Sequence, residues 1–181
     1  MRHFEKQLSS ETIFTGRVIS VTRDTVELEN GNTSIREVVH HHGGAGVAAL
    51  NGQGEICLVR QYRYALDREL IEIPAGKLEQ GEDPFEAAKR ELGEEAGLTA
   101  AAYRDLGHII PTCGYCSEII YLYAAKELSP VSQHLDPDEF LSVFTLPLEE
   151  AARLVLSGEI TDSKTVAAIL KVKALRDAGE F

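Results

Sequence analysis

The chain has 181 residues, 44% of them hydrophobic and 26% charged, which fits one ordinary globular domain or a domain with a small appendage. That apolar content excludes disordered and collagen-like classes, and no apolar run approaches the roughly 18 residues that a membrane-spanning helix needs. The net charge of −11 makes the chain a poor general binder of nucleic acid or anionic membrane, so an anionic substrate must be met by a metal cation or by local arginines.

The N-terminus, Met1-Arg2-His3-Phe4-Glu5-Lys6, lacks the apolar stretch of a signal peptide. With three cysteines, this points to the reducing cytoplasm and no disulfide framework. Strands are predicted over Thr12–Val21, Thr25–Glu29 and Ser34–Val39, with Asn30-Gly31 as a tight turn. They form an N-terminal antiparallel unit, 1–42, followed by a main domain, 43–181. In the main domain Ala45–Leu50 and Glu55–Arg60 read as a hairpin around Asn51-Gly52-Gln53-Gly54, and Leu70–Ile73 as a short strand ending at Pro74. The best helix is Pro84–Ala96, with Asp83 at the N-cap, Glu86 three residues later and Gly97 as its stop. Strands follow at Ala101–Ile110, Glu118–Ala125 and Phe140–Leu146, then helices from Pro147 to Ser157 and from Lys164 to Arg176. Strands with isolated helices indicate an α+β fold rather than regular βαβ winding.

Chemistry concentrates in residues 76–98, GKLEQGEDPFEAAKRELGEEAGL. Glu91, Glu94 and Glu95 share one helix face, and like charges so spaced destabilise a helix. A solvated acidic face is the plain explanation. Against it, Glu82 adds a fourth carboxylate, and Phe85, Ala88 and Leu92 form an apolar stripe that packs the helix on something. Carboxylates held together on a fixed scaffold are the hard-oxygen environment that Mg2+ or Mn2+ prefers. Gly76 permits a tight backbone path that aims the Ala75 carbonyl at a cation; alternatively it is a simple turn glycine.

This segment resembles the Nudix box: Gly76, Glu82, Arg90, Glu91, Leu92, Glu94, Glu95, Gly97 and Leu98 fill its defined positions. The resemblance implies a Nudix hydrolase, with an α/β/α sandwich around a mixed sheet, divalent metals and a water nucleophile. By motif position, Glu91 and Glu95 are implied as direct metal ligands, assisted by Glu82 and Glu94; the Ala75 carbonyl aimed by Gly76 is the backbone candidate beside them. Arg90 is implied to orient a carboxylate. The flanks are similar to the ADP-ribose pyrophosphatase branch: Arg36-Glu37-Val38-Val39, Val59-Arg60-Gln61-Tyr62-Arg63-Tyr64, Glu69 to Gly76, and Gly158-Glu159-Ile160-Thr161-Asp162-Ser163-Lys164-Thr165. By the same pattern Arg36 and Arg63 meet the pyrophosphate or terminal ribose, and Glu118 fills the branch's acidic position; Glu72, one strand step from the metal loop, is placed to hold substrate or a metal-bound water. One departure is Cys113, which stands where the branch carries proline before a glycine.

In this branch an acid in a late loop activates water or adds a metal ligand. Leu135-Asp136-Pro137-Asp138-Glu139-Phe140 is the suitable segment; Glu139 is favoured, with Asp138 and Asp136 as fallbacks. The expected reaction is Mg2+-dependent hydrolysis of a nucleoside diphosphate sugar, ADP-ribose to AMP and ribose 5-phosphate first. Alternatives within the class are another nucleotide sugar such as GDP-mannose, or a dinucleoside polyphosphate. A non-catalytic nucleotide-binding module is the alternative of another class, and the intact carboxylates weigh against it. A thiol–disulfide oxidoreductase rests only on Cys113-Gly114-Tyr115-Cys116, which lacks a following helix. His40-His41-His42 reads as structural or as a substrate edge. The resemblance also implies a homodimer with exchanged N-terminal strands.

Overall fold

The computed structural model describes residues 3–181. The chain divides into two compact units, Met1–Gly43 with Ile110–Ile119, and Gly44–Ile109 with Ile120–Phe181. Among the described residues no helix is long and apolar enough to cross a membrane.

The first unit is an antiparallel sheet in the order β1 (Lys6–Thr15), β2 (Ser20–Glu27), β3 (Thr33–His40). The predicted strand Thr12–Val21 is corrected here. It is two strands folded back on each other, with Gly16 N–H donating to the Ile19 carbonyl at 2.9 Å and Phe14 paired with Val21. Its β-branched residues favour strand on both sides of the bend, so composition alone conceals the turn at Gly16-Arg17. Asn30-Gly31 does form the next turn, and Gly31 adopts φ +80°. Ile110–Ile119 joins this unit through Val39, which donates to the Tyr115 carbonyl at 2.7 Å and accepts from Ser117 N–H at 2.9 Å. Glu118, predicted at the start of a strand, lies instead in this connecting loop.

The second unit has two sheets. One runs β7 (Ala75–Lys77), β4 (Gly44–Ala49), β9 (Ile120–Pro130), β8 (Leu98–Ile109); the other runs β10 (Leu141–Pro147), β5 (Glu55–Arg63), β6 (Arg68–Glu72). β4 and β9 are parallel and the remaining pairs antiparallel. Every residue of β4 is buried, and alternate side chains feed two cores. Ala45, Val47 and Ala49 pack with Ala87, Ala88 and Leu92 of α1 (Pro84–Ala96). Ala48 packs with Leu148, Ala151 and Leu154 of α2 (Leu148–Ser157) and with Ala168, Ile169 and Val172 of α3 (Ser163–Asp177). Helices thus cover both faces of a mixed sheet, the α/β/α arrangement expected from the sequence.

Two further corrections concern pairing. β4 and β5 do not form a hairpin ladder: only Leu50 and Ile56 bridge them, after which the strands enter different sheets. A strand buried on both faces belongs in a sheet interior, and β4 takes β7 and β9 as neighbours. The segment after Pro74, where Gly76 has the alternative of a simple turn glycine, is the short strand β7, and Gly44 is needed beside it: a Cβ there would lie 2.8 Å from the Gly76 carbonyl oxygen. The helix signals fare better. Asp83 accepts from Phe85 N–H and Glu86 N–H at 2.9 and 3.2 Å, Pro84 opens α1, and Gly97 closes it at φ +63°. Glu86 pairs with Lys89.

Candidate active site

Capping fixes the rotation and length of α1, and burial of Ala88 and Leu92 turns the neighbouring face toward β7. Glu91 and Glu95 lie on that face at 7% and 3% exposure. Glu95 accepts from Ala75 N–H at 2.8 Å, which ties the helix to the strand that follows Pro74. At Gly76 a Cβ would collide with the Glu91 carboxylate. Glycine is therefore required there for close approach, which goes beyond the needs of a turn.

Arg90 gathers the remaining acids. Its Nε and Nη2 donate to the two oxygens of Glu82 at 2.9 and 3.0 Å, and its Nη1 donates to Glu91 and Glu94, both at 2.8 Å. The hydrogen bond to Glu82, followed by the charges and bonds of Glu91 and Glu94, holds the guanidinium firmly in its charged form despite partial burial. Burial pushes the Glu91 carboxyl up to about 6; Arg90 opposes this, and the charges of Glu94 and Glu139 add to it. Burial pushes Glu95 up further, to about 8, against the Ala75 N–H bond and with help from Glu91 and Glu139. Glu139 comes from the 136–139 turn, closed by its N–H to the Asp136 carbonyl at 2.9 Å, and its charge reaches both helix acids. Asp136 and Asp138 are exposed.

On the sheet beside this cluster, Arg63 at the end of β5 donates through Nε and Nη2 to the two oxygens of Glu72, each at 2.6 Å. Glu72 also binds Lys164. Burial acts to raise the Glu72 carboxyl, but the Arg63 bonds and the two cationic charges outweigh it and hold the group below the usual range. Two predicted substrate residues belong to the first unit. Arg36 is bound by Glu5 at 2.9 and 2.5 Å, and Glu118 approaches His41 at 3.5 Å. His40 bonds Thr22. All three cysteines are free; Cys113 lies in a turn of Ile110–Ile119 and Cys116 bridges Val39, with no helix after them.

The donor set fits a hard divalent cation. Glu91 and Glu95 are buried oxygens in a strongly acidic neighbourhood, and Gly76 makes room against Glu91. Among the described residues no three carboxylate, imidazole or thiolate groups yet converge as a ready-made cage; Arg90 spans the acids instead. The Nudix domain model matches residues 40–169, which contain every one of these groups. The chain belongs to the Nudix family.

The model of the nucleoside diphosphate sugar hydrolase N-terminal domain matches residues 5–39 of this Nudix protein. A relative from Bacillus subtilis (strain 168), named ADP-ribose pyrophosphatase, is 44% identical, with 91% of this chain and 90% of that protein aligned. A Bacillus methanolicus protein named methanol dehydrogenase activator is 45% identical with the same coverage. A crystal structure of an ADP compounds hydrolase superposes with a TM-score of 0.84 at 24% identity, over 98% of this chain and 97% of that one, and speaks to the fold. The expectation of a Nudix pyrophosphatase of the ADP-ribose pyrophosphatase-like branch is borne out.

What sequence reasoning missed in this Nudix site is the support at the start of α3. Asp162 caps that helix by accepting from Thr165 N–H at 3.0 Å and Thr165 Oγ1 at 2.6 Å, and Thr165 Oγ1 in turn accepts from Ile73 N–H at 2.8 Å. The run Thr161-Asp162-Ser163-Lys164-Thr165 carries a helix-cap signal, but nothing in it announces that Lys164 is buried.

A pH dependence follows from the two raised carboxyls. Their folded values, about 6 and about 8, exceed the 4.5 of an ordinary glutamate, so their contribution to stability is fully present below the unfolded value and is lost as pH rises through the folded ones. In chelator, the melting temperature of the wild type should fall from about pH 5 to about pH 9, and that of Glu95→Gln should fall less. Calorimetry of both proteins across that range is the check, and parallel curves would refute the burial argument.

Proposed function

We propose that the protein hydrolyses ADP-ribose to AMP and ribose 5-phosphate with Mg2+, Mn2+ being a substitute. The observation that carries this reading is Glu95, a carboxylate 3% exposed whose hydrogen bond among the described residues is the one from Ala75 N–H. With its carboxyl pushed up to about 8 by burial, it is ionised at neutral pH only where a cation replaces the proton. The N-terminal match to nucleoside diphosphate sugar hydrolases and the 44% identity to the Bacillus subtilis protein support the substrate class. Intact carboxylates weigh against a non-catalytic binding module, and the lack of a helix after Cys116 weighs against thiol–disulfide chemistry.

Glu91 and Glu95, with the Ala75 carbonyl and with Glu82 and Glu94 assisting, would hold the metal. When bound, it neutralises diphosphate charge and lowers the pKa of the attacking water. Arg63, held by Glu72 in the free protein, turns its guanidinium to the diphosphate. Arg36 meets the diphosphate or the terminal ribose after exchanging its exposed pair with Glu5, the kind of pair that exchanges readily. Glu118 contributes to the substrate edge. Glu139 takes the proton from water as its oxygen attacks phosphorus and the bridging P–O bond breaks.

The N-terminal unit serves a homodimer, with residues 1–42 exchanging strands between subunits and the domain 43–181 carrying the chemistry in the cytoplasm. Every residue of β1 is exposed, and Ile13, Phe14 and Ile35 are 51%, 52% and 53% exposed. A sheet edge this open and apolar seeks a partner.

Three outcomes are expected. In a panel of ADP-ribose, GDP-mannose and dinucleoside polyphosphates, ADP-ribose should give the highest kcat/KM, and product analysis should find AMP; preference for a different nucleotide sugar would overturn the substrate. Glu139→Gln should slow turnover by roughly 10²- to 10⁴-fold, and a large loss in Asp138→Asn with little in Glu139→Gln would move the role to Asp138. Light scattering at micromolar concentration should give twice the 19.9 kDa chain mass, and a monomer would remove the exchange.

A further inference from the structure

Glu72 is 1% exposed, and one cation would balance it, yet it has two. They differ in kind. The Arg63 side chain is 40% exposed, and its Nη1 has no hydrogen-bond partner among the described residues. The Lys164 side chain is 10% exposed and wholly committed, with Nζ between Glu72 and Asp162, 3.0 Å from the latter. Asp162 is itself fixed by Thr165, whose hydroxyl accepts from Ile73 N–H, the residue next to Glu72. Lys164 is thus built into the frame, whereas Arg63 sits at its edge. Arg63 also lies opposite Arg68 across the β5–β6 ladder, a like-charge pairing that favours an anion over further positive neighbours.

We infer that Lys164 is a positioning residue for substrate binding: it keeps Glu72 paired while Arg63 turns its guanidinium to the diphosphate. A buried carboxylate stripped of its partner is strongly unfavourable, so without Lys164 the departure of Arg63 would strand Glu72, and Arg63 stays home. The inference rests on the nucleotide-sugar reading above. Lys164 touches no reacting atom. It acts through Glu72 and Arg63, and its loss penalises ground state and transition state alike.

The test uses the full chain and whichever nucleotide sugar the wild type hydrolyses fastest. If the wild type hydrolyses none, the substrate reading fails and not this inference alone. Lys164→Met should raise KM by about tenfold or more with kcat within about threefold, the pattern of lost uniform binding. A purely structural role would reduce the folded fraction, lowering apparent kcat at unchanged KM, and that result would overturn the inference. On a Glu72→Gln background, Lys164→Met should add no further rise in KM, since the acid it serves has gone. This second comparison removes both buried charges together, so it remains decisive if the single variant fails to fold. A further rise there would show that Lys164 meets the substrate itself and would also overturn the inference.

Discussion

The structure turns on concentrating negative charge inside a core without ejecting it. Glu91 and Glu95 enter the interior because α1 must bury Ala88 and Leu92 and because Gly76 leaves room for a carboxylate. Arg90 then spans Glu82, Glu91 and Glu94, so that one guanidinium serves acids from a loop and from two turns of helix. Glu95 lies outside that clamp and carries the higher carboxyl pKa of the two, about 8 against about 6. Buried acids beside one basic residue leave a deficit of positive charge, which is the condition that a divalent cation would relieve.

The second network, on the sheet, is balanced where the first is not. Glu72 and Asp162 face Arg63 and Lys164, two acids with two bases. The two networks meet through a few residues of backbone: Ile73 N–H is bound by Thr165 and Ala75 N–H by Glu95. The strand exit at Pro74 is therefore held from both cores, by α3 on one side and α1 on the other. Placement of the Ala75 carbonyl follows from this double anchorage.

Legibility in the sequence followed the range of the interactions. Helix α1 was readable because Asp83, Pro84 and Gly97 act within one turn of where they stand, and the acidic face was readable because helical spacing is local. The turn at Gly16 was hidden by strand-favouring residues on both sides. The separation of β4 from β5 was hidden because the true partner of β4 is β9, met from Gly44↔Ile120 to Ala49↔Ala125. Attachment of Ile110–Ile119 to Val39, and burial of Lys164 against Glu72, depend on contacts of the same long range. Motif position marked Glu72 and Arg63 separately; their mutual bond required the β5–β6 register, Val59↔Glu72 to Arg63↔Arg68.

That long range has a consequence for how the protein reaches its working state. The hydrogen bond from Ile73 N–H to Thr165 closes a separation of 92 residues, and the one from Ala75 N–H to Glu95 a separation of 20. Short loops close at lower entropic cost than long ones, and non-local pairings slow folding. During synthesis the ribosome delivers α1 and β7 well before Thr165 emerges, so a nascent chain holds the Nudix acids before it holds the frame that aligns them. A chain truncated before α3 would keep the whole Nudix box while losing the Thr165 anchor at Ile73, two residues before the Ala75 N–H that Glu95 holds.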